Sequence, residues 1–321
     1  MFAPPVFLGH KTHRIHLWLL CTTLLIMLIA LACCCVCAQV KSAAHVIEIP
    51  FDFYRNEIIV QMKVNGKGPF NMMIDTGTDP SAIDLATAKE LGVKLQSLGQ
   101  PASGGGTEKN LAYYAKLPLV EVGGLNVKTL DALAIDLSKV SARLGKPLHG
   151  VLGHSLLNKR IVQIDYAARV LRFYSESPFP KHAKQPNTSK RSVLSFRYDD
   201  NVLIDDVFVN GKKVIANFDT GSNGSFALTP AAVSYLGLED EVSSAPVDTS
   251  VGYNGASENR KGKVSNVTVG GISVDAPDVV FFGKGTGRDK EPWSINIGNV
   301  FLKDFVVTID YRSKLITLER P

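Results

Sequence analysis

The chain has 321 residues, 45% hydrophobic and 20% charged, an ordinary globular composition that excludes wholesale disorder. Its formal charge of +5, from 35 basic and 30 acidic residues, is too mild and too evenly spread for nucleic-acid binding. All five cysteines (Cys21, Cys33, Cys34, Cys35 and Cys37) precede residue 38, so the remainder has no disulfide, thiol nucleophile, CxxC zinc site or iron–sulfur cluster.

Residues 10–16 carry Lys11 and Arg14 and no acid, and the 22 residues 17–38 contain no charge. A basic stretch ahead of an apolar run is the pattern of a secretory signal, and this run is also long enough to span a bilayer. Val36-Cys37-Ala38 offers a signal-peptidase site, and Leu31-Ala32-Cys33-Cys34 loosely resembles a lipobox with Cys34 as lipid acceptor. Residues 1–38 are therefore expected to be a signal peptide or a membrane or lipid anchor. The protein is expected to be exported, periplasmic or extracytoplasmic, with any membrane contact made through 17–38.

The rest of the chain repeats. Asn65-Gly66-Lys67 returns as Asn210-Gly211-Lys212, Asp75-Thr76-Gly77 as Asp219-Thr220-Gly221, and Ile164-Asp165-Tyr166 as Ile309-Asp310-Tyr311. Leu91-Gly92, Gly123-Gly124 and Leu152-Gly153 recur in the same order, all at offsets of 144 to 147 residues. So long a period describes two copies of one domain rather than a solenoid. Copy one is read as 45–174 and copy two as 193–320, joined by a Pro-, Ser- and Lys-rich linker over 175–192.

Within copy one, a strand over Glu57–Val64 meets Asn65-Gly66, the strongest short hairpin signal, and a second strand, Phe70–Ile74, enters Asp75. A helix is expected over Ala82–Leu91, stopped by Gly92. The copy closes with a hairpin of Ile161–Tyr166 and Val170–Phe173. Copy two repeats this layout with Val202–Val209, Val214–Phe218, a helix at Pro230–Leu236, and Phe305–Asp310 with Leu315–Leu318. The fold class is mainly β with a few short helices.

One Asp-Thr-Gly is weak evidence; two at equivalent points of a repeat, each after an apolar strand and before a hydroxyl residue, are strong. The strand delivers a carboxylate to a tight turn, and Gly77 and Gly221 permit close backbone approach. Thr76 and Thr220 are placed to hydrogen-bond across a pseudo-two-fold axis, and Thr78 and Ser222 to donate to the outer carboxylate oxygens. Copies packed about such an axis set Asp75 against Asp219. Two adjacent carboxylates share one proton, so one serves as general base on a water while the other polarises a substrate carbonyl.

These motifs resemble the aspartic peptidases, most closely the retropepsin-like bacterial type, fused here as two copies. The family pattern is any two residues, Asp-Thr-Gly and one more, then a later apolar-apolar-Gly; its counterparts here are Met73–Thr78 with Val151-Leu152-Gly153, and Asn217–Ser222 with Asn296-Ile297-Gly298. The resemblance covers about residues 46–319. It implies two β-barrel lobes related by a pseudo-two-fold axis, with the apolar-Gly strand beneath each catalytic loop. It also implies flaps over the bound peptide, from 102–106 with Gly104, Gly105 and Gly106, and from 251–255 with Gly252 and Tyr253.

The expected function is an exported aspartic endopeptidase acting as a monomeric catalytic unit on polypeptide substrates, without cofactor or metal. The alternatives are a non-catalytic peptide-binding scaffold on the same fold, or two lobes that each need a homodimer partner. Asp165 and Asp310 are read as turn residues. His149 and His154 lack histidine equivalents in copy two and a third ligand at matching spacing, which speaks against a metal site.

Overall fold

Two consecutive positive φ angles make the two-residue turn whose twist matches that of the strands it joins. Asn65 and Gly66 adopt φ of 50° and 74°, and Asn210 and Gly211 adopt 49° and 77°. Each pair thereby closes a hairpin, Glu57–Val64 with Lys67–Ile74 in copy one and Val202–Val209 with Lys212–Phe218 in copy two. The computed structural model describes residues 45–101, 104–179, 187–188 and 190–321. The expected signal or anchor over 1–38, Ala102, Ser103 and residues 180–186 and 189 of the 175–192 linker lie outside the described residues.

Val46–Pro321 forms one compact unit. In copy one, Glu57–Val64 pairs on one side with Lys67–Ile74 and on the other with Leu111–Val122, which curls an eight-stranded sheet into a barrel. In copy two, Val202–Val209 pairs in the same way with Lys212–Phe218 and Asn266–Val269. The strand that ends in each aspartate runs parallel to a short buried strand from the far end of its copy. Lys67–Ile74 lies beside Gly150–Leu152, and Lys212–Phe218 beside Ile295–Ile297. The two short strands are buried throughout, as are the last three residues of the strands beside them. The architecture is mainly β, with two homologous lobes and short helices, as the repeat implied.

The two closing hairpins meet across the lobes. Ile161–Asp165 pairs antiparallel with Val306–Asp310, joining Val46–Pro50 and Val170–Tyr174 of one copy to Leu315–Glu319 and Arg191–Tyr198 of the other. In this register Gln163 faces Thr308, its equivalent in the repeat, and the Gln163 amide donates to Thr308 Oγ1 at 3.0 Å. The pseudo-two-fold axis passes between them. Asp165 and Asp310 cap the turns that follow: Asp165 accepts from Ala168 N at 2.9 Å and Asp310 from Arg312 N at 2.9 Å.

The helix expected over Ala82–Leu91 is shorter. Ala82–Asp84 is a strand against Gly150–Leu152 and Leu125–Ile135, and the helix is Leu85–Glu90. Asp84 sets that start, because its carboxylate accepts from Thr87 N at 3.1 Å as an N-cap. Pro230–Leu236 is helical as expected, capped by Thr229 and ended by Gly237 at φ 74°. Among the described residues no helix is long and apolar enough to cross a membrane.

Ile309 is 1% exposed and sits opposite Val162 in the inter-lobe pairing. Truncating a fully buried isoleucine costs about 2–5 kcal/mol. Ile309→Ala should therefore lower unfolding stability by that amount in urea titration; a loss below about 1 kcal/mol would mean the inter-lobe sheet does not carry the core.

Candidate active site

Each Asp-Thr-Gly turn sits where its strand leaves the sheet. Asp75 N donates to Leu152 O at 3.1 Å and Asp219 N to Ile297 O at 2.9 Å, so each aspartate is tied to the short strand beside it. The glycine that follows each short strand has no room for a side chain. A Cβ on Gly153 would meet Thr78 O at 2.1 Å, and one on Gly298 would meet Gly224 O at 2.6 Å.

The two turns lock through their threonines. Thr76 N donates to Thr220 Oγ1 and Thr220 N to Thr76 Oγ1, both at 3.1 Å. Each hydroxyl then donates across the axis, Thr76 to Phe218 O at 2.5 Å and Thr220 to Ile74 O at 3.1 Å. Thr76 is 2% exposed and Thr220 0%, so water competes for none of these bonds.

This lock brings Asp75 and Asp219 together. A Cβ on Gly77 would stand 3.1 Å from Asp219 Oδ1, and one on Gly221 would stand 2.2 Å from Asp75 Cγ, so each glycine faces the other copy's carboxylate. Gly77 N donates to Asp75 Oδ1 at 2.7 Å and Gly221 N to Asp219 Oδ1 at 2.9 Å. The second oxygens are held differently. Thr78 Oγ1 donates to Asp75 Oδ2 at 2.6 Å, as expected. Ser222 was expected to serve Asp219 in the same way, but Asn296 Nδ2 donates to Asp219 Oδ2 at 2.9 Å instead. Asn296 is held in turn by Asn217 Nδ2 at 2.7 Å. The signal for this pair was visible, since Asn296 and Asn217 stand where copy one has Val151 and Met73.

Burial first, and then the charge of Asp219, push the Asp75 carboxyl up to about 7, while bonds from Thr78 and the Gly77 amide pull it down. The site can therefore hold one proton between two carboxyls at neutral pH. A third buried carboxyl, Glu57, lines the same cavity and was not foreseen. Burial, and then the charges of Asp75 and Asp219, raise it well above the usual carboxylate range.

The two segments expected to form flaps meet over Asp75. Val247–Gly252 and Gly255–Lys263 form a hairpin whose turn is Tyr253-Asn254. Tyr253 OH lies 3.0 Å from Thr78 Oγ1 and donates to Asp75 Oδ2 at 3.4 Å. The copy-one segment reaches across to this turn: Asn254 N donates to Gly105 O at 2.9 Å, Glu108 N to Asn254 O at 2.8 Å and Asn110 Nδ2 to Tyr253 O at 2.6 Å. The flap glycines permit this approach. A Cβ on Gly106 would lie 2.1 Å from Asn254 C, one on Gly252 2.4 Å from Gly105 O, and one on Gly104 3.0 Å from the Tyr253 ring. Beneath lies a cavity of about 760 Å³, large enough for several side chains of an extended peptide.

The histidines stand apart from this chemistry. His149 Nδ1 accepts from Asn71 N at 3.0 Å, and His154 stacks on Tyr198 with ring centroids 3.7 Å apart.

A family model described as aspartyl protease matches residues 60–156 and 206–298, more than half of the chain. Among solved structures, a retropepsin-like aspartic protease from Rickettsia conorii is similar at 20% identity and a TM-score of 0.33, over 40% of this chain and 90% of that one. Basic 7S globulin from soybean is similar at 11% identity and a TM-score of 0.46, over 86% of this chain and 95% of that one. No curated protein matches the sequence.

Thr220→Val keeps the shape of the side chain but strands Thr76 N and Ile74 O in a dry site. Each unsatisfied buried group costs about 1–3 kcal/mol, so the variant should lose about 2–6 kcal/mol in urea unfolding, with Thr220→Ser close to the parent. Equal stability of Val and Ser variants would show that the lock does not hold the turns.

Proposed function

Because the chain belongs to the aspartyl protease family, we propose that it is an endopeptidase that hydrolyses peptide bonds with water activated between Asp75 and Asp219. The observation that supports this most is the juxtaposition of two carboxyls from equivalent turns, one of them raised to about 7 by burial and by its neighbour. Such a pair holds a single proton over a wide pH range.

In this reading a water sits between the carboxyls. The ionised member takes its proton as the oxygen bonds to the scissile carbonyl carbon, and the protonated member gives its proton to the carbonyl oxygen. Return of a proton to the amide nitrogen then lets the C–N bond break. The acid and base forms belong to the pair rather than to one named aspartate. Thr78 and Asn296 orient the two carboxyls, and Tyr253 helps to exclude bulk water from above. The substrate is an extended polypeptide lying under the flaps, partly paired as an added strand. One chain supplies both aspartates, so the catalytic unit is monomeric. The basic stretch and uncharged run of residues 10–38 support action outside the cytoplasm, released or tethered.

Asp75→Asn and Asp219→Asn should each lower kcat/KM on a mixed peptide library at least about 100-fold, with binding retained. Cleavage by either variant at the parent's rate would overturn the shared-dyad mechanism, and peptide binding by the parent without cleavage at any pH would favour a scaffold.

The pH profile gives a second test. Activity that needs the shared proton should fall as pH rises through about 7, where Asp75 loses it. The Thr78 bond favours the ionised form, so Thr78→Val should move this alkaline limb to higher pH. A limb that moves to lower pH would contradict the assignment.

A further inference from the structure

The cleft carries more acid than its chemistry needs. Beyond Asp75 and Asp219, the described residues lining it include the carboxyls of Glu57, Asp79, Asp199, Asp200 and Glu291, against one cation, Arg288. Arg288 Nη1 donates to Glu291 at 2.9 Å, so these two offset each other and leave the acids Glu57, Asp79, Asp199 and Asp200. The whole chain is meanwhile basic, at +5. Asp79, Asp199 and Asp200 are exposed at the rim. Glu57 differs from them. It is 8% exposed, and its Oε2 has no hydrogen-bond partner.

Three facts make Glu57 more than an accident of packing. The repeat puts Val202 at the equivalent place in copy two, so the fold does not need a carboxyl there. The turn before it is fixed to the opposite lobe: Asn56 Nδ2 donates to Asn223 O at 3.2 Å, and Asn56 O accepts from Asn299 Nδ2 at 2.8 Å. The side chain therefore sits at the lobe interface rather than turning out to solvent. Finally, a buried carboxyl oxygen left without a partner costs free energy unless a ligand completes it.

We propose that Glu57 is a specificity-determining residue that receives the cationic side chain of a lysine or arginine in the bound peptide. The cation supplies the missing partner of Oε2 and favours the ionised form of Glu57, which burial and the charges of Asp75 and Asp219 disfavour in the empty cleft. The exposed Asp79, Asp199 and Asp200 draw a basic peptide toward the cleft before it is seated. The subsite is one-sided, because Val202 occupies the mirror position.

This inference rests on reading the cleft as a peptide-binding site, and its test does not require turnover. Non-cleavable reduced-amide peptides would carry lysine at each position in turn, paired with norleucine, which has the same length without the ammonium group. Binding would be measured by fluorescence anisotropy for the parent, Glu57→Val, Glu57→Gln and the rim variant Asp199→Asn/Asp200→Asn, with thermal melts to confirm folding. At one position the parent should bind the lysine peptide about ten-fold or more tightly. Both Glu57 variants should bind the two peptides equally, and the rim variant should keep the preference with a weaker salt dependence. Equal binding of lysine and norleucine peptides by the parent, or a preference that survives in Glu57→Val, would overturn the proposal and leave the peptidase reading intact. Lysine-selective binding without cleavage would do the reverse, and no peptide binding at all would overturn both.

Discussion

Four hydrogen bonds made by two buried threonines, two to each other and two to the strands beyond, hold the rest of the site in place. Thr76 and Thr220 each accept from the other's backbone and donate to the strand beyond it. In a dry environment a missing partner is expensive, so the turns have one satisfactory arrangement and little freedom to drift. That arrangement forces two carboxyls together, against their own electrostatics. Burial first, and then the neighbouring charge, accordingly push the Asp75 carboxyl up to about 7. The inter-lobe sheet supports the same geometry from below, with Gln163 and Thr308 meeting on the axis that relates the turns.

The frame is symmetric, but its furnishing is not. Met73 and Val151 of copy one line an apolar floor, whereas Asn217 and Asn296 replace them in copy two and hold Asp219. Thr78 bonds its aspartate and Ser222 does not. Tyr253 comes down over Asp75 from the copy-two flap. Glu57 faces the cavity from one lobe, and its counterpart is a valine. Duplication sets the position of the dyad; divergence of the two copies makes the cleft on its two sides chemically different.

How much of this was legible in the amino-acid order depends on how local each signal is. The Asn-Gly turns, the Thr229-Pro230 helix start and the alternating hairpins are fixed by neighbouring residues, and their limits lie within a few residues of expectation. The Thr76–Thr220 lock followed from the repeat itself, because equivalent residues on an axis must meet. The shortened helix at Leu85 was missed because tertiary strand pairing captured Ala82–Asp84 before helix propensity could. Asn296 is hidden for the opposite reason: it occupies the first place of what is otherwise an apolar-apolar-Gly motif, and a polar residue in that buried strand asks for a partner. Glu57 carried no local signal at all. Its meaning comes from burial, from the nearness of Asp75 and Asp219, which stand 18 and 162 residues further along the chain, and from contrast with Val202.

The central claim is that one chain builds one site from two turns. Active-site titration of the full chain would measure this directly, using a tight-binding peptide with a hydroxyl-bearing carbon in place of the scissile carbonyl. The account predicts that cleavage falls linearly to zero at one equivalent of inhibitor per chain, at every protein concentration. An end point of one inhibitor per two chains, or of two per chain, would contradict it.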